Sequence, residues 1–346
     1  MTAPTNLTAP PRNIVVIQPL PGVGDMIWHL PHIRAIAAHV GAPVTLVAKP
    51  RSAAGQVFSA ERTVRDIIWM DRNPEGRRGQ HDGLLGLHRL TQQLRARRFD
   101  AAYLLHQSQT LAFATWLGGI PARHGYGAGA QRMWLNRPPF LSKAQLRQDW
   151  FQQANTWLTT AGIPIAESEP KLSVLPEARA AADRRLGKMP GPLVTIGIGG
   201  SEAYKQWGAP HFAALIRLLF GAGWTQFVLL GGPPQTKLAE QIVEGIAGSG
   251  AAVAVSVDWS LTEVAALLAE SAFYVGNDTS FLNMAAAVGI RTYGLFGATE
   301  PFHHSRQIVP IMPPDGVVAR VDGMARISPE AVLTTILADQ RRVAGQ

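Results

Sequence analysis

A polar corner stands between two apolar segments in "YVGNDTSFLNMAAAVG", residues 274–289. A strand-like run precedes Asn277, Asp278, Thr279 and Ser280, and a helix of small residues follows them. The start of a helix offers unpaired N–H groups and the positive end of the helix dipole, which together attract an anion. The corner can therefore bind a phosphate. A plain helix N-cap at Asp278 is the alternative, and a single Asp before a helix is more often a cap.

A second turn of the same kind follows in "GIRTYGLFGATEP", residues 289–301, where another short strand ends in Gly-Ala-Thr-Glu-Pro. In a parallel sheet, ligands collect beyond the carboxyl ends of the strands. Two such strand ends, both rich in glycine and hydroxyl groups, can together cradle a diphosphate.

The elements that must position these residues alternate along both halves of the chain. The segment "NIVVIQPLPGVGDMIWHLPHIRAIAAHVG" predicts a strand, a loop from Pro19 to Asp25 and a helix that stops at Gly41. The runs "PVTLVAK", "VRDIIWM" and "FDAAYLL" predict three further strands. Strands that alternate with helices are typical of a parallel α/β sheet.

The second half repeats the alternation after a Pro- and Glu-rich stretch that suits a linker. Its predicted strands are "PLVTIGIGG", "TQFVLLGGP", "AVAVSV", "FYVGND" and "RTYGLFG", with helices around residues 209–221, 235–248, 261–270 and 279–288. We therefore expect two Rossmann-like domains. The predicted segments are a disordered lead-in at 1–12, domains at 13–165 and 191–325, a linker at 166–190 and a terminal helix at 326–346.

The bulk composition agrees with two soluble domains. The chain has 346 residues, of which 47% are hydrophobic, and no cysteine, which excludes disulfides and covalent thiol chemistry and suits a reducing compartment. Its first residues lack the apolar core of a secretory signal. The formal charge is +8, which attracts anionic partners such as nucleic acid, a membrane surface or a phosphorylated substrate. Much of the excess lies in the first half, at arginines 62, 65, 72, 77, 78, 89, 95, 97 and 98.

The stretch "NDTSFLNMAAAVGIRTYGLFGATEP" resembles glycosyltransferase family 9, the ADP-heptose:lipopolysaccharide heptosyltransferases, whose pattern is an Asp-Thr-Gly corner, a small-residue helix and a Leu-Phe-Gly-x-Thr-x-Pro turn. The segments "GVGDMIWHLPHIRAI", "FDAAYLLHQSQTLAFATWLGGIPARHGY" and "IGGSEAYKQWGAPHFAALI" resemble other motifs of the family, so that most of residues 13–310 is covered. The resemblance implies the GT-B fold, two Rossmann-like domains facing across a cleft, with an acceptor domain first and a nucleotide-sugar domain second.

The resemblance implies a reaction that moves a sugar from a nucleoside diphosphate to an alcohol. Its two tasks, activation of the acceptor and stabilisation of the leaving diphosphate, need groups of opposite charge. A carboxylate must take the proton of the acceptor hydroxyl, and Asp25, expected on the loop after the first strand, is the candidate. Its alternative role is to cap the following helix. A cation and helix N–H groups must stabilise the departing diphosphate, and Lys205 is the expected cation.

Other residues receive expected roles from the same resemblance. The expected donor-binding residues are Ser201, Asp278, Thr279, Ser280, Asn283 and Glu240. The expected acceptor-binding residues are His106, Ser108 and Arg123, although a buried, hydrogen-bonded His106 is an equal alternative. Two positions depart from the family: Ser280 replaces the usual Gly, and Asn283 stands where His is common, which leaves donor sugar and base open.

We expect neither metal nor cofactor. No Asp-x-Asp pair occurs, and Glu167 and Glu169, which have that spacing, fall in the predicted linker. The expected partners are a nucleotide-sugar donor and an anionic glycan or glycolipid acceptor, not nucleic acid. The expected location is cytoplasmic, with peripheral contact at the inner face of the membrane.

Three other classes of protein are alternatives. A dinucleotide-dependent oxidoreductase is disfavoured because "GVGDMI" lacks the third Gly of the fingerprint. A GT-B-type sugar-nucleotide epimerase would act without an acceptor. A non-catalytic nucleotide-sugar binding protein would keep its function when Asp25 is replaced.

Overall fold

The computed structural model describes residues 13–187, 191–200, 202–301 and 304–344, without the side chain of Glu75. The chain divides into two compact units, Met1–Pro170 and Lys171–Gln346. The predicted lead-in at 1–12 lies outside the described residues. Of the helices in the described part, none is long and apolar enough to cross a membrane.

The first unit contains a parallel five-stranded sheet in the order β3-β2-β1-β4-β5. Its strands are β1 (Ile14–Ile17), β2 (Val44–Ala48), β3 (Val64–Trp69), β4 (Ala101–Leu104) and β5 (Ala122–Gly125). Its α-helices are α1 (Val23–Val40), α2 (Ala54–Val57), α3 (Gly83–Ala96), α4 (Gln109–Leu117) and α5 (Trp150–Thr160).

The second unit contains a parallel six-stranded sheet in the order β11-β10-β9-β6-β7-β8. Its strands are β6 (Leu193–Gly197), β7 (Gln226–Leu230), β8 (Ala252–Ser256), β9 (Ser271–Asn277), β10 (Arg291–Leu295) and β11 (Ile308–Ile311). Its α-helices are α6 (Pro176–Leu186), α7 (Ala209–Gly221), α8 (Thr236–Gly245), α9 (Leu261–Ala269), α10 (Ser280–Ala287) and α11 (Pro329–Ala344).

Each sheet is buried because its central strands are continuous apolar runs. The run "IVVI" of β1 and the run "LVTIG" of β6 are buried at every position, as expected for parallel strands covered by helices on both faces. Helix α1 ends at Gly41, as predicted, because this residue adopts the left-handed conformation (φ 66°) that favours glycine.

The predicted strands and helices of the second half are confirmed, and so are the first four strands of the first half. Strands β5 and β11 were not predicted. Both lie at a sheet edge, where the polar run "ARHG" and a proline in "IVPI" are tolerated, so neither has a typical strand pattern. The predicted linker, residues 166–190, contains helix α6, which packs against α9 through Ala178, Ala182 and Ala266.

Candidate active site

The polar corner of the second unit lies at the carboxyl end of β9, where it was predicted. Thr279 is the N-cap of α10, but its side chain makes no capping hydrogen bond, and within the described residues no side chain accepts from the N–H groups of the first turn. Asp278 is only 8% exposed and precedes the N-cap position. The interpretation of Asp278 as a plain N-cap is therefore wrong.

Asp278 instead joins the ends of three neighbouring strands. Its Oδ2 accepts hydrogen bonds from Lys205 Nζ at 3.1 Å and from Thr299 Oγ1 at 2.8 Å. Lys205 lies on the loop after β6, and Thr299 lies on the turn after β10. Because β9 stands between β10 and β6, the three loops meet at one edge of the sheet. Thr299 belongs to the quoted Gly-Ala-Thr-Glu-Pro turn, although no role was predicted for it.

Asn277 holds the loop that carries Lys205. Its buried amide donates to the carbonyl of Gly199 at 2.8 Å and to Gln206 Oε1 at 3.3 Å. The Gln206 amide in turn donates to the carbonyl of Gly200 at 3.2 Å. A Cβ atom at Gly200 would lie 2.5 Å from the Gln206 amide nitrogen, so a larger residue here would displace the Gln206 side chain. These contacts hold the loop in place and so position the backbone at Lys205.

The remaining predicted donor residues are distributed unevenly. Ser280 and Asn283 lie on α10, and Asn283 Oδ1 is buried without a hydrogen-bond partner among the described residues. Glu240 is exposed on α8 and makes no hydrogen bond or ion pair within the described part of the chain. The structure thus brings Lys205, Asp278, Thr279 and Ser280 to one edge, while nothing links Glu240 to them. Ser201 lies outside the described residues.

In the first unit, Asp25 lies in the first turn of α1 and not on a loop, so that part of the prediction is wrong. Helix α1 begins at Val23, directly after the N-cap Gly22, whose backbone is extended (φ −78°, ψ 142°). Asp25 Oδ2 accepts a hydrogen bond from the backbone N–H of Gly22 at 3.2 Å. Burial raises the pKa of the Asp25 carboxyl, although the hydrogen bond from Gly22 opposes this effect.

His29 lies one turn further along α1. Its Nδ1 is 2.8 Å from the carbonyl oxygen of Asp25 and 3.2 Å from the side-chain amide of Gln18. Burial lowers the pKa of His29 to about 4, with hydrogen bonding to Asp25 and the charge of Asp149 acting in the opposite direction. The ring is therefore neutral at pH 7. No role was predicted for His29.

His106 follows β4, whose neighbour in the sheet is β1. Its ring stacks on Trp150, with centroids 4.8 Å apart, and its buried Nδ1 has no hydrogen-bond partner among the described residues. Burial lowers the pKa of His106 to about 4, and nearby His29 and Lys49 lower it further. Acceptor binding by His106 stays a prediction.

The other two predicted acceptor residues make local structural contacts. The Ser108 hydroxyl caps α4 by accepting from the backbone N–H of Leu111 at 3.3 Å. The Arg123 guanidinium donates to the backbone carbonyls of Trp134 at 2.6 Å and Ile120 at 2.5 Å. The Arg123 bonds hold the segment after β5.

The two sites offer complementary chemistry. The edge around Lys205 provides a cation and helix N–H groups suited to a phosphate anion. The edge around Asp25 provides a carboxylate whose raised pKa makes it a stronger base once ionised. Within the described residues, no group of three or more His, Cys, Asp or Glu side chains is arranged to hold a metal ion.

Comparison with solved structures shows the same fold in several glycosyltransferases. The Escherichia coli ADP-heptose LPS heptosyltransferase II is 23% identical with a TM-score of 0.74, and the alignment covers 94% of this chain and 98% of that chain. A family 9 glycosyltransferase from Veillonella parvula is 18% identical with a TM-score of 0.79, covering 94% and 96%.

The E. coli heptosyltransferase WaaC, solved with ADP-2-deoxy-2-fluoro heptose, is 19% identical with a TM-score of 0.71, covering 94% and 99%. These similarities confirm the predicted GT-B fold class. No curated protein sequence is significantly similar to the chain. The model of glycosyltransferase family 9 (heptosyltransferase) matches residues 87–319, which is more than half of the chain. The protein therefore belongs to glycosyltransferase family 9.

Proposed function

We propose that the protein transfers a sugar from a nucleoside diphosphate donor to a glycan hydroxyl, with inversion at the anomeric carbon. The observation that carries the proposal is the meeting of Lys205, Asp278 and Thr299 at the amino end of α10. This arrangement suits a diphosphate leaving group, which gains negative charge as the bond between the sugar and the diphosphate breaks.

Lys205 is the proposed cation for the diphosphate, and the N–H groups at the start of α10 are its proposed donors. Asp278 is itself an anion, so it repels the diphosphate, and its proposed role is to orient Lys205 through their 3.1 Å contact. A helix terminus and a lysine together stabilise the leaving group, so the proposed transfer requires no metal.

Asp25 is the proposed general base for the acceptor hydroxyl. Its Oδ2 is occupied by Gly22, while Oδ1 makes no hydrogen bond within the described residues. A single displacement, with base and leaving group on opposite faces of the sugar, gives inversion. The neutral His29 and His106 rings place no positive charge beside the carboxylate at pH 7, which helps it remain basic.

The proposed donor is ADP-heptose, and the proposed acceptor belongs to a lipopolysaccharide core or a related glycan. Support comes from the similar structures, which include a heptosyltransferase with an ADP-heptose analogue. Asn283 is the proposed determinant of any difference in donor choice, because an amide cannot carry the charge of a histidine. The proposed location is the cytoplasm, at the inner face of the membrane.

Isothermal calorimetry with ADP tests the donor site. Lys205→Ala should weaken ADP binding by about 1.5 to 3 kcal/mol, the range of a hydrogen bond to a charged group. Lys237→Ala is the matched control, because Lys237 is exposed on α8 and lies in the same unit. Unchanged ADP affinity in Lys205→Ala, or loss of wild-type binding in EDTA, would contradict the proposed site.

A second assay separates transfer from epimerisation. Incubation with ADP-heptose and a lipopolysaccharide-core acceptor should give a glycosylated acceptor with inverted anomeric configuration, and no epimer should form without acceptor. An epimer formed in the absence of acceptor would instead support the epimerase alternative.

A further inference from the structure

Helices α3 and α4 and the segment after β5 expose several large apolar side chains. Leu84 and Leu85, in the first turn of α3, are 86% and 69% exposed, and Met133 is 73% exposed. Single exposed apolar residues are normal, but a connected group marks an interaction site. The apolar members of this α3–α4 surface are Leu84, Leu85, Phe113, Trp116, Met133 and Trp134.

Ring contacts link Phe113, Trp116 and Trp134, and a shared cavity links Leu84 to helix α4. Leu84 and Thr110 line the same cavity, which joins the start of α3 to the start of α4. Thr110 and Phe113 share one face of α4, because they are three residues apart. Phe113 contacts Trp116, with ring centroids 5.7 Å apart, and Trp134, with centroids 4.6 Å apart.

The segment that carries this apolar area is rich in arginine. Between residues 71 and 147 the sequence has 12 Arg and Lys residues and four Asp and Glu residues. Arg77 and Arg78 are exposed and make no side-chain hydrogen bond or ion pair within the described residues. Arg132 is also exposed and lies over the Phe140 ring, 4.9 Å from its centroid.

The acidic side chains near these arginines are already engaged with the backbone. Asp82 Oδ2 accepts from the N–H groups of Asn73 and Gly79, each at 2.7 Å, and Asp71 Oδ2 accepts from that of Gln80 at 3.0 Å. These two carboxylates stay negatively charged, but within the described residues neither pairs with Arg77 or Arg78, and the basic residues of the segment outnumber the acidic ones.

We propose that the α3–α4 surface docks onto an anionic lipid bilayer, with the two helices lying in the plane of the interface. Leucine side chains can enter the boundary between headgroups and acyl chains, and tryptophan favours this boundary. The arginines then meet lipid phosphates, which they recognise by paired hydrogen bonds. Charge complementarity favours anionic lipid as the occupant, since basic residues outnumber acidic ones in the segment that carries these apolar side chains.

The position of the surface also suits the proposed acceptor site. The cavity places the start of α3 beside the start of α4, and α4 begins directly after His106, Gln107 and Ser108. An acceptor presented from the bilayer would thus reach the edge that carries His106. The inference about the surface itself requires no transferase activity, so it is tested without substrates.

Vesicle flotation of the full chain tests the proposal. Vesicles that mix phosphatidylglycerol with phosphatidylcholine should bind the protein at about 0.1 M salt and lose it at about 1 M, since screening shortens the Debye length. Leu84→Ser with Leu85→Ser should weaken binding by roughly ten-fold or more, because their apolar area no longer enters the interface. Arg77→Gln with Arg78→Gln should weaken it by roughly five-fold for each arginine.

Matched controls use the same chemical changes elsewhere. Val317→Ser with Val321→Ser removes two exposed apolar residues of the second unit, and Arg62→Gln with Arg184→Gln removes two exposed charges. Neither control pair should change flotation. All variants should keep the parental melting temperature and ADP affinity, which separates this test from that of the donor site.

Three outcomes would overturn the proposal. These are equal binding to pure phosphatidylcholine vesicles, equal losses in the control pairs, and no flotation at low salt. Sedimentation showing a dimer that Leu84→Ser with Leu85→Ser dissociates would assign the surface to a second copy of this chain instead.

Discussion

The side chain of Asp25 makes one hydrogen bond within the described residues, and burial raises the pKa of its carboxyl. The bond from Gly22 is the contact of a helix cap, yet it uses only one carboxylate oxygen. Capping and base catalysis are therefore compatible in the same side chain.

Replacing Asp25 with Asn should separate these two roles. The amide oxygen can still accept from Gly22, but the side chain can no longer take a proton, so turnover should fall by roughly 10²-fold or more. Transfer kinetics with donor and acceptor, beside a melting curve that barely moves, check this expectation. Near-parental turnover would leave Asp25 as a cap only and direct attention to His106.

Asp278 is the second residue whose contacts suggest a specific experiment. Because Lys205 and Thr299 both donate to its Oδ2, Asp278→Ala should free the lysine to move and weaken ADP binding by about ten-fold. Asp278→Asn, which keeps a hydrogen-bond acceptor, should lose less. Calorimetry that finds tighter ADP binding in Asp278→Ala would show that repulsion by the carboxylate outweighs its positioning of Lys205.

At the scale of elements, the candidate donor site depends on the close approach of β6 and β9. A Cβ atom at Gly276 would lie 2.3 Å from the backbone oxygen of Gly197. Such contacts between backbones cannot be relieved by rotating a side chain. The two strands must stay this close for their following loops to bring Lys205 to Asp278.

Gly276→Ala should therefore push the strands apart, lower the free energy of unfolding by about 1 to 3 kcal/mol and weaken ADP binding. Gly221→Ala in α7 is the matched control, because an added Cβ there meets no atom within 4 Å. That control should leave stability equal or slightly higher. Urea denaturation and calorimetry measure both effects, and equal behaviour of the two variants would contradict the packing argument.

At the scale of the whole molecule, buried histidines govern how the free energy of unfolding depends on pH. Burial lowers the pKa of His29, His106 and His124 to about 4 each. In the unfolded chain these rings titrate near pH 6.5. Between these two values the unfolded state binds more protons than the folded state.

The free energy of unfolding should consequently fall as pH drops from about 6.5 to about 4. His29 alone should account for about 2 kcal/mol between pH 7.5 and pH 5. Asp25 acts in the opposite sense, because its raised pKa lets the folded state hold a proton more readily as pH falls. Denaturation curves at several pH values should show that the free energy of unfolding depends less on pH in His29→Gln than in the parent. An identical pH dependence would refute the lowered pKa of His29.

The sequence by itself determined the alternation of strands and helices, the polar corner after β9 and the family. These features depend on patterns within short windows, such as the buried run of β6 and the turn that contains Thr299. The start of α1 at Val23, two residues before Asp25, was not predicted. A glycine-rich segment favours a loop in isolation, but here Gly22 is the N-cap of α1 and its N–H donates to the Asp25 carboxylate.

Only the tertiary structure decided which of the candidate residues meet. Lys205 and Asp278 are separated by 73 positions, and they pair because β6 and β9 are neighbours in the sheet. Arg123 was expected to bind an acceptor, but the fold brings backbone carbonyls to its guanidinium. Local patterns fix the elements, whereas the partners of a charged side chain depend on strand order, which no short window of sequence contains.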